Sequence, residues 1–304
     1  MDGAAVSSPQ YACVECGAPL PALTRCPSCD RVYAQEQGRP SAFPNRALTY
    51  SVALPATATD PGAIPRDAVF RFPAEHGQRG SGVYHFDRAH KAELETLAPG
   101  ALILETGCGG AQLRDWATAR GLGYVGTDVS LSRVHGHLQS YGGADLLCDA
   151  HALPLADASV DVVYASAVYE HLALPHVAAS EAARVLKPCG LHLGSMSFME
   201  PWHDESYAHM SPNGVYRMLA SAGLVPRHIW PEIAWPGYYA LLAMGNPATR
   251  ALRILGKAMT AFYMAPARVK HGLRLRRWPS AQDLYDQHAR IAGAIAWIAE
   301  KPSD

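Results

Sequence analysis

From Lys91 onward, apolar runs of four to seven residues alternate with patterns of helical period. Few folds accept that alternation. Each run is short and almost uniformly apolar, so it reads as a strand covered on both faces by the helices of a parallel α/β sheet. The spacing predicts strands at Ala101–Glu105, Tyr124–Asp128, Ala144–Cys148, Val160–Ser166 and Gly190–Met196, with helices over 111–120, 131–141 and 175–187. A helix over 212–222, a strand near 225–233 and a last strand near 292–300 complete seven strands, and there is no internal repeat. Among 304 residues, 49% are hydrophobic and 17% charged, which excludes a mainly disordered, collagen-like or coiled-coil chain. A net charge of −1 excludes a molecule that binds nucleic acid by its overall charge. The start, Met1-Asp2-Gly3-Ala4, lacks the basic and apolar regions of a secretory signal. The longest apolar run, Ile291 to Ala299, is too short to span a bilayer, so the expectation is a cytoplasmic protein without a transmembrane segment.

Cysteine spacing sets the first 33 residues apart. Cys13-x-x-Cys16 is followed by Cys26-x-x-Cys29, while Cys108, Cys148 and Cys189 stand alone. An odd total with two tight pairs suits a metal better than disulfides. Two turns presenting two thiolates each can close a tetrahedral shell around zinc, and Gly17 and Pro27 suit such turns. Four thiolates leave no open position, so the expected site is structural. Residues 34–80 hold six prolines and the soft run from Ser51 to Thr59, and read as a Pro-rich connector with little regular structure.

The first strand of the sheet turns through Thr106-Gly107-Cys108-Gly109-Gly110 into a helix. Glycines there let backbone approach a bound nucleoside. Asp128 ends the second strand, where a carboxylate can accept bonds from both ribose hydroxyls. Dinucleotide enzymes share this logic, but their fingerprint wants glycine where this chain has Gln112.

Four blocks, Leu104-Glu-Thr-Gly-Cys-Gly-Gly-Ala111, Gly126-Thr-Asp-Val-Ser130, Cys148-Asp-Ala-His-Ala-Leu-Pro154 and Ser159 through Glu170-His171, occur in order. A fifth, Glu181-Ala-Ala-Arg-Val-Leu-Lys-Pro-Cys-Gly190, follows. Together they make the chain resemble a class I S-adenosylmethionine (SAM)-dependent methyltransferase of the type 11 group. The resemblance covers about 80 to 235 and the last strand. It implies a Rossmann-like seven-stranded α/β sheet over 81–304, with a helical insertion at 236–290 before the last strand. It also implies cofactor roles: Glu105, Thr106, Gly107, Cys108 and Gly109 around the methionine part, Asp128 and Val129 at the ribose, Asp149 and Ala150 at the adenine, and Ser166 bordering the methyl. Ala111 and Cys189 stand where the family often has glycine, and each adds only a small side chain. The segment Tyr11 to Leu20 resembles zinc ribbons fused ahead of some methyltransferases, including one that modifies ribosomal RNA.

Methyl transfer from a sulfonium needs mainly a well-placed nucleophile, plus a base where the nucleophile is weakly acidic. Candidates follow the fourth and fifth strands: His171, and then Glu200, His203, Asp204, Tyr207 and His209. His203 and His171 are the catalytic candidates, set against a structural role for His171 and an incidental place for His203 in a polar loop. His203, Asp204 and His209 match no familiar metal-ligand spacing.

Between Glu232 and Asp283 there is no acidic residue, while Arg250, Arg253, Lys257, Arg268, Lys270, Arg274, Arg276 and Arg277 accumulate. Trp235 to Tyr239 opens this segment with aromatic rings suited to an apolar pocket. It reads as a lid with a solvated basic face, or as a surface for an anionic acceptor, an acidic carrier or a membrane. The acceptor expected is a small or carrier-bound metabolite. The alternatives are an RNA base methyltransferase and a SAM-binding module without activity. Against RNA, residues 1–100 carry no basic surplus.

Overall fold

The computed structural model describes residues 8–51, 63–77, 83, 86–134 and 136–303. The seven expected strands are β5 (Leu102–Thr106), β6 (Gly123–Asp128), β7 (Leu146–Leu147), β8 (Val160–Ser166), β9 (Leu186–Ser197), β10 (Val225–Pro231) and β11 (Ala294–Glu300). They follow β1 (Tyr11–Ala12), β2 (Pro19–Leu20), β3 (Ala34–Glu36) and β4 (Arg39–Ser41). One sheet runs β10-β11-β9-β8-β5-β6-β7-β4-β3. The pairs β8/β9, β5/β8, β5/β6 and β6/β7 are parallel, and β11 enters antiparallel between β9 and β10. This is the Rossmann-like sheet that the resemblance implies; ahead of it lie the hairpin β1/β2, which carries Cys13 and Cys16, and a second turn, which carries Cys26 and Cys29.

Burial explains the order. Every residue of β11 but the last is buried, and Trp297 packs edge-on against Tyr169 and His192 at centroid distances of 5.4 and 5.6 Å. Helices α2 (Arg88–Glu95), α4 (Pro175–Val185) and α5 (Pro212–Ser221) cover the sheet. Asp87 starts α2 by accepting from the Ala89 amide at 2.8 Å, a carboxylate cap on exposed helix donors.

Several expectations need correction. Residues 34–41 are a β-hairpin on the main sheet, not part of an irregular connector. Its turn is Gln37-Gly38, both with positive φ (50° and 76°), and Ser41 pairs in parallel with Leu147. Gln37 is an unusual residue for such a turn, so the local signal was weak. The hairpin also covers the edge of β7, which is only two residues long rather than five. Residues 63–77 include α1 (Arg66–Val69) and lie against the C-terminal part: Arg66 pairs with Asp286 at 2.8 Å, and Phe70 stacks on Tyr285. Residues 52–59 of the soft run, 78–80 of the connector and the start at 1–7 lie outside the described residues. The helix expected over 131–141 is a 3-10 turn at 136–141, because serines before it and Gly142-Gly143 after it favour turns. The loop helix is shorter than expected, α3 (Leu113–Thr118), and β9 begins at Leu186, four residues early, with an irregular register over 187–190.

The insertion is helical: α6 (Gly237–Ala243), α7 (Pro247–Ala251), the long α8 (Arg253–Leu275) and α9 (Tyr285–Ala289). Gly256 lets α8 approach α6 closely, since a Cβ there would sit 2.4 Å from the Tyr238 carbonyl. No helix among the described residues is long and apolar enough to cross a membrane.

Candidate active site and cysteine cluster

The carboxyl ends of β5, β6 and β7 bring the glycine loop and the acidic residues together. Gly107 has φ 62°, and a Cβ on it would lie 2.5 Å from the Val168 side chain, so only glycine lets the loop settle on the end of β8. Gly109, at φ 51°, has no atom within 4 Å of where a Cβ would stand. Its amide donates to Asp128 Oδ2 at 2.8 Å, and the Val129 amide donates to Oδ1 at 2.7 Å. Burial holds the Asp128 carboxyl above its ordinary range, against the pull of these amides.

Glu105 accepts a short hydrogen bond from the Tyr124 hydroxyl. Burial pushes its carboxyl up to about 8, with Asp128 and Asp145 adding to the rise and Tyr124 and Arg114 opposing it. Asp149 accepts from the His151 ring at 2.5 Å and from its amide at 2.9 Å, and the ring contact holds it below the usual carboxylate range. Thr106 and Cys108 are buried under the loop, Val129 and Ala150 flank the carboxylates, and Ser166 Oγ lies 3.0 Å from Ser195 Oγ. Open space above Gly109 and three carboxylates at one sheet end fit a cofactor that carries a sulfonium and an ammonium.

A second group lies beyond the ends of β8 and β9. Glu170 and His171 sit in a 3-10 turn, and Glu200, His203 and His209 come from the loop after β9. The His171 and His203 rings are 5.3 Å apart, and His203 and His209 are 6.0 Å apart. Ser197 Oγ donates to Glu170 at 2.9 Å and stands in short contact with Glu200, which also accepts from Trp235 Nε1. Burial pushes Glu170 up to about 7 and Glu232 up to about 8, the latter with help from Asp87, Glu200 and Glu170. Burial, together with His203, lowers the pKa of His171, keeping a neutral imidazole available as a proton acceptor.

The fold thus gathers His171, Glu200, His203 and His209, but leaves Asp204 and Tyr207 exposed. Sequence reasoning passed over Glu170 as a functional group, along with Ser197, Glu232 and the bond from Trp235 to Glu200. Only the Glu170-His171 pair carries a signal in the sequence, and that signal favours the histidine.

At the N-terminus the two cysteine turns have the same backbone form. The Gly17 amide donates to the Cys13 carbonyl at 2.8 Å, and the Asp30 amide donates to the Cys26 carbonyl at 2.9 Å. Both turns end on a residue with positive φ, Gly17 at 74° and Asp30 at 58°. Cys13 and Cys29 sulfurs are 3.6 Å apart, as are those of Cys16 and Cys26, and all four lie within 4.8 Å of one another. Sulfurs about 2.3 Å from a shared tetrahedral zinc are about 3.8 Å apart, so the set fits that ion. Burial opposes ionisation of Cys13, yet the Tyr33 hydroxyl and backbone amides bring its thiol down to about 6. The hairpin rests on the sheet domain through Ala12, whose amide donates to the Pro154 carbonyl at 3.1 Å.

Residues 104–193 match the family described as "Methyltransferase domain". An "Uncharacterized methyltransferase" of Mycobacterium sp. (strain KMS) is 35% identical over 102 residues, 33% of this chain and 40% of that protein. One of Mycobacterium ulcerans (strain Agy99) is 33% identical over 103 residues, 33% of this chain and 40% of that protein. The chain therefore spans about two fifths of the length of these relatives. Among solved structures, Haemonchus contortus phosphoethanolamine N-methyltransferase 2 in complex with S-adenosyl-L-methionine is similar over 71% of this chain and 52% of that one. Its identity is 16% and the TM-score 0.47.

Proposed function

We propose, from the match of residues 104–193 to a methyltransferase domain, that the chain transfers the SAM methyl group to a small or carrier-bound metabolite. The observation that carries this reading is the Gly109 amide on Asp128, which joins the open glycine loop to the ribose carboxylate. Glu105 and the loop hold the methionine part, Asp149 and Ala150 flank the adenine, and Ser166 borders the methyl. Bound SAM supplies a sulfonium whose methyl is already activated. The protein's part is to place a nucleophile in line and to accept its proton, at His171 or His203. Zinc in the four-cysteine cluster supports the hairpin and takes no part in transfer.

The insertion supports an acceptor presented at an anionic lipid surface. Leu255, Met259, Phe262, Val269 and Leu273 repeat at helical spacing along α8, and all are exposed, Phe262 at 83% and Leu273 at 78%. Among the described residues, Asp283 on Arg277 is the one carboxylate paired with the eight basic side chains. An apolar stripe edged by cations is what an interfacial helix presents to headgroups.

The test is transfer of labelled methyl from SAM into cell extract, with and without RNase, followed by fractionation of lipids and mass identification. Label in a lipid-fraction metabolite, insensitive to RNase, is the expected result. Label lost with RNase identifies RNA as the acceptor and overturns the metabolite reading.

A further inference from the structure

We propose that Glu170, His171 and His203 form a binding site for a divalent first-row transition-metal ion, beside the methyl-transfer site and separate from the four cysteines. One ligand atom from each lies within 4.8 Å of the others. Glu170 is 1% exposed, and its Oε1 takes the Ser197 hydroxyl, while its Oε2 is buried with no hydrogen-bond partner. His171 Nδ1 is likewise buried and unpartnered. A buried carboxylate oxygen is expected to have a partner, and none of the described residues supplies one here.

The state of His203 points the same way. Its Nδ1 lies 2.8 Å from the Pro201 carbonyl, a contact that requires the proton on Nδ1. On the neutral ring the lone pair is then on Nε2, which lies 3.8 Å from Glu200 Oε2. A histidine that donates one ring N–H to a backbone carbonyl and offers the other nitrogen is arranged as metal-ligating histidines are. Ligand atoms bound at about 2.1 Å lie at most about 4.2 Å apart, so a small movement of the loop carrying His203 closes the set.

The donor chemistry selects the ion. Two imidazoles and a carboxylate favour zinc or iron over calcium or magnesium. Three ligands leave coordination positions open, which a structural four-thiolate site does not. An acceptor oxygen bound at an open position would lose its proton more readily. With an ion bound, that effect takes the place of proton acceptance by His171 or His203, whose free ring nitrogens the ion occupies; this consequence rests on the proposed methyl transfer, but the site itself does not.

Equilibrium dialysis against micromolar zinc, followed by elemental analysis, separates the two sites. The full chain is expected to hold about two zinc ions, one of them in the four-thiolate cluster. Glu170→Gln and the double variant His171→Ala/His203→Ala should each lose about one ion while keeping the other, and Cys26→Ser should lose the cysteine-bound ion instead. Glu170→Gln preserves side-chain shape, and unchanged near-ultraviolet circular dichroism checks its fold. Equal zinc in the full chain, Glu170→Gln and the double variant overturns the site. Calorimetry of SAM binding on the same samples reports on the methyltransferase reading independently.

Discussion

The amide of Gly109 donates to Asp128 Oδ2 at 2.8 Å, fastening the loop after β5 to the end of β6. The bond spans two neighbouring strands of the sheet, so the loop's left-handed turn and the carboxylate's orientation depend on each other. A ribose hydroxyl bound at Asp128, as proposed, would meet an acceptor whose rotamer is already set. Asp128→Ala removes a charge-assisted bond worth about 1.5–3 kcal/mol and should weaken SAM about tenfold to a hundredfold. Isothermal calorimetry reads this directly, and unchanged affinity would place the cofactor elsewhere.

Glu105 provides a pH signature. Its folded carboxyl titrates at about 8, above the value of about 4.3 for an unfolded chain. A raised pKa means that the fold holds the proton more tightly, so this group's stabilising contribution is complete below the unfolded value. It declines as pH rises through about 8. A bound ammonium or sulfonium favours the carboxylate, so SAM binding near neutral pH should expel a proton. Calorimetry in buffers of different ionisation enthalpy should detect up to about one proton released, vanishing in Glu105→Gln. Binding that shows no dependence on buffer in the unmodified chain counts against Glu105 as the cofactor's neighbour.

Cys189 occupies the turn before the buried part of β9 with φ 61°, and its side chain is exposed. A left-handed conformation costs a non-glycine residue about 1–2 kcal/mol. Cys189→Gly should therefore raise stability by about 1 kcal/mol, less than the full strain because glycine gains freedom when unfolded. Urea unfolding with an unchanged slope checks it. Lower stability would mean that the thiol makes a contact of its own.

The basic face of α8 should bind anionic membranes. Lys270, Arg274 and Arg276 suit a test, because Arg277 is already held by Asp283. Changing all three to Gln should weaken partitioning onto phosphatidylglycerol vesicles about a hundredfold, at about 1 kcal/mol per charge, and leave SAM affinity unchanged. Phe262→Ser should also weaken binding, and this loss should persist at high salt, where charge is screened. Binding to neutral vesicles of equal strength would leave the cations without this role.

Much of the fold was legible locally. The β5 strand, the Thr106–Gly110 loop and the acidic ends of β6 and β7 lie within short stretches, where apolar run length, glycine and a terminal carboxylate each leave their own mark. The two Cys-x-x-Cys turns are local as well, since four residues and one left-handed position build each of them. Tertiary structure alone decided the rest. Whether the hairpin at 34–41 joined the sheet depended on the unpaired edge of β7, more than a hundred residues away. Glu170 and His203 are separated by thirty-three residues and by β9, so no sequence spacing could reveal that they share a site. Nor could sequence show that Glu170 Oε2 has no partner among the described residues, because satisfaction of a buried polar atom depends on everything folded around it. Periodicity reports what one segment wants to bury, whereas the acceptor-side chemistry arises where separate segments converge.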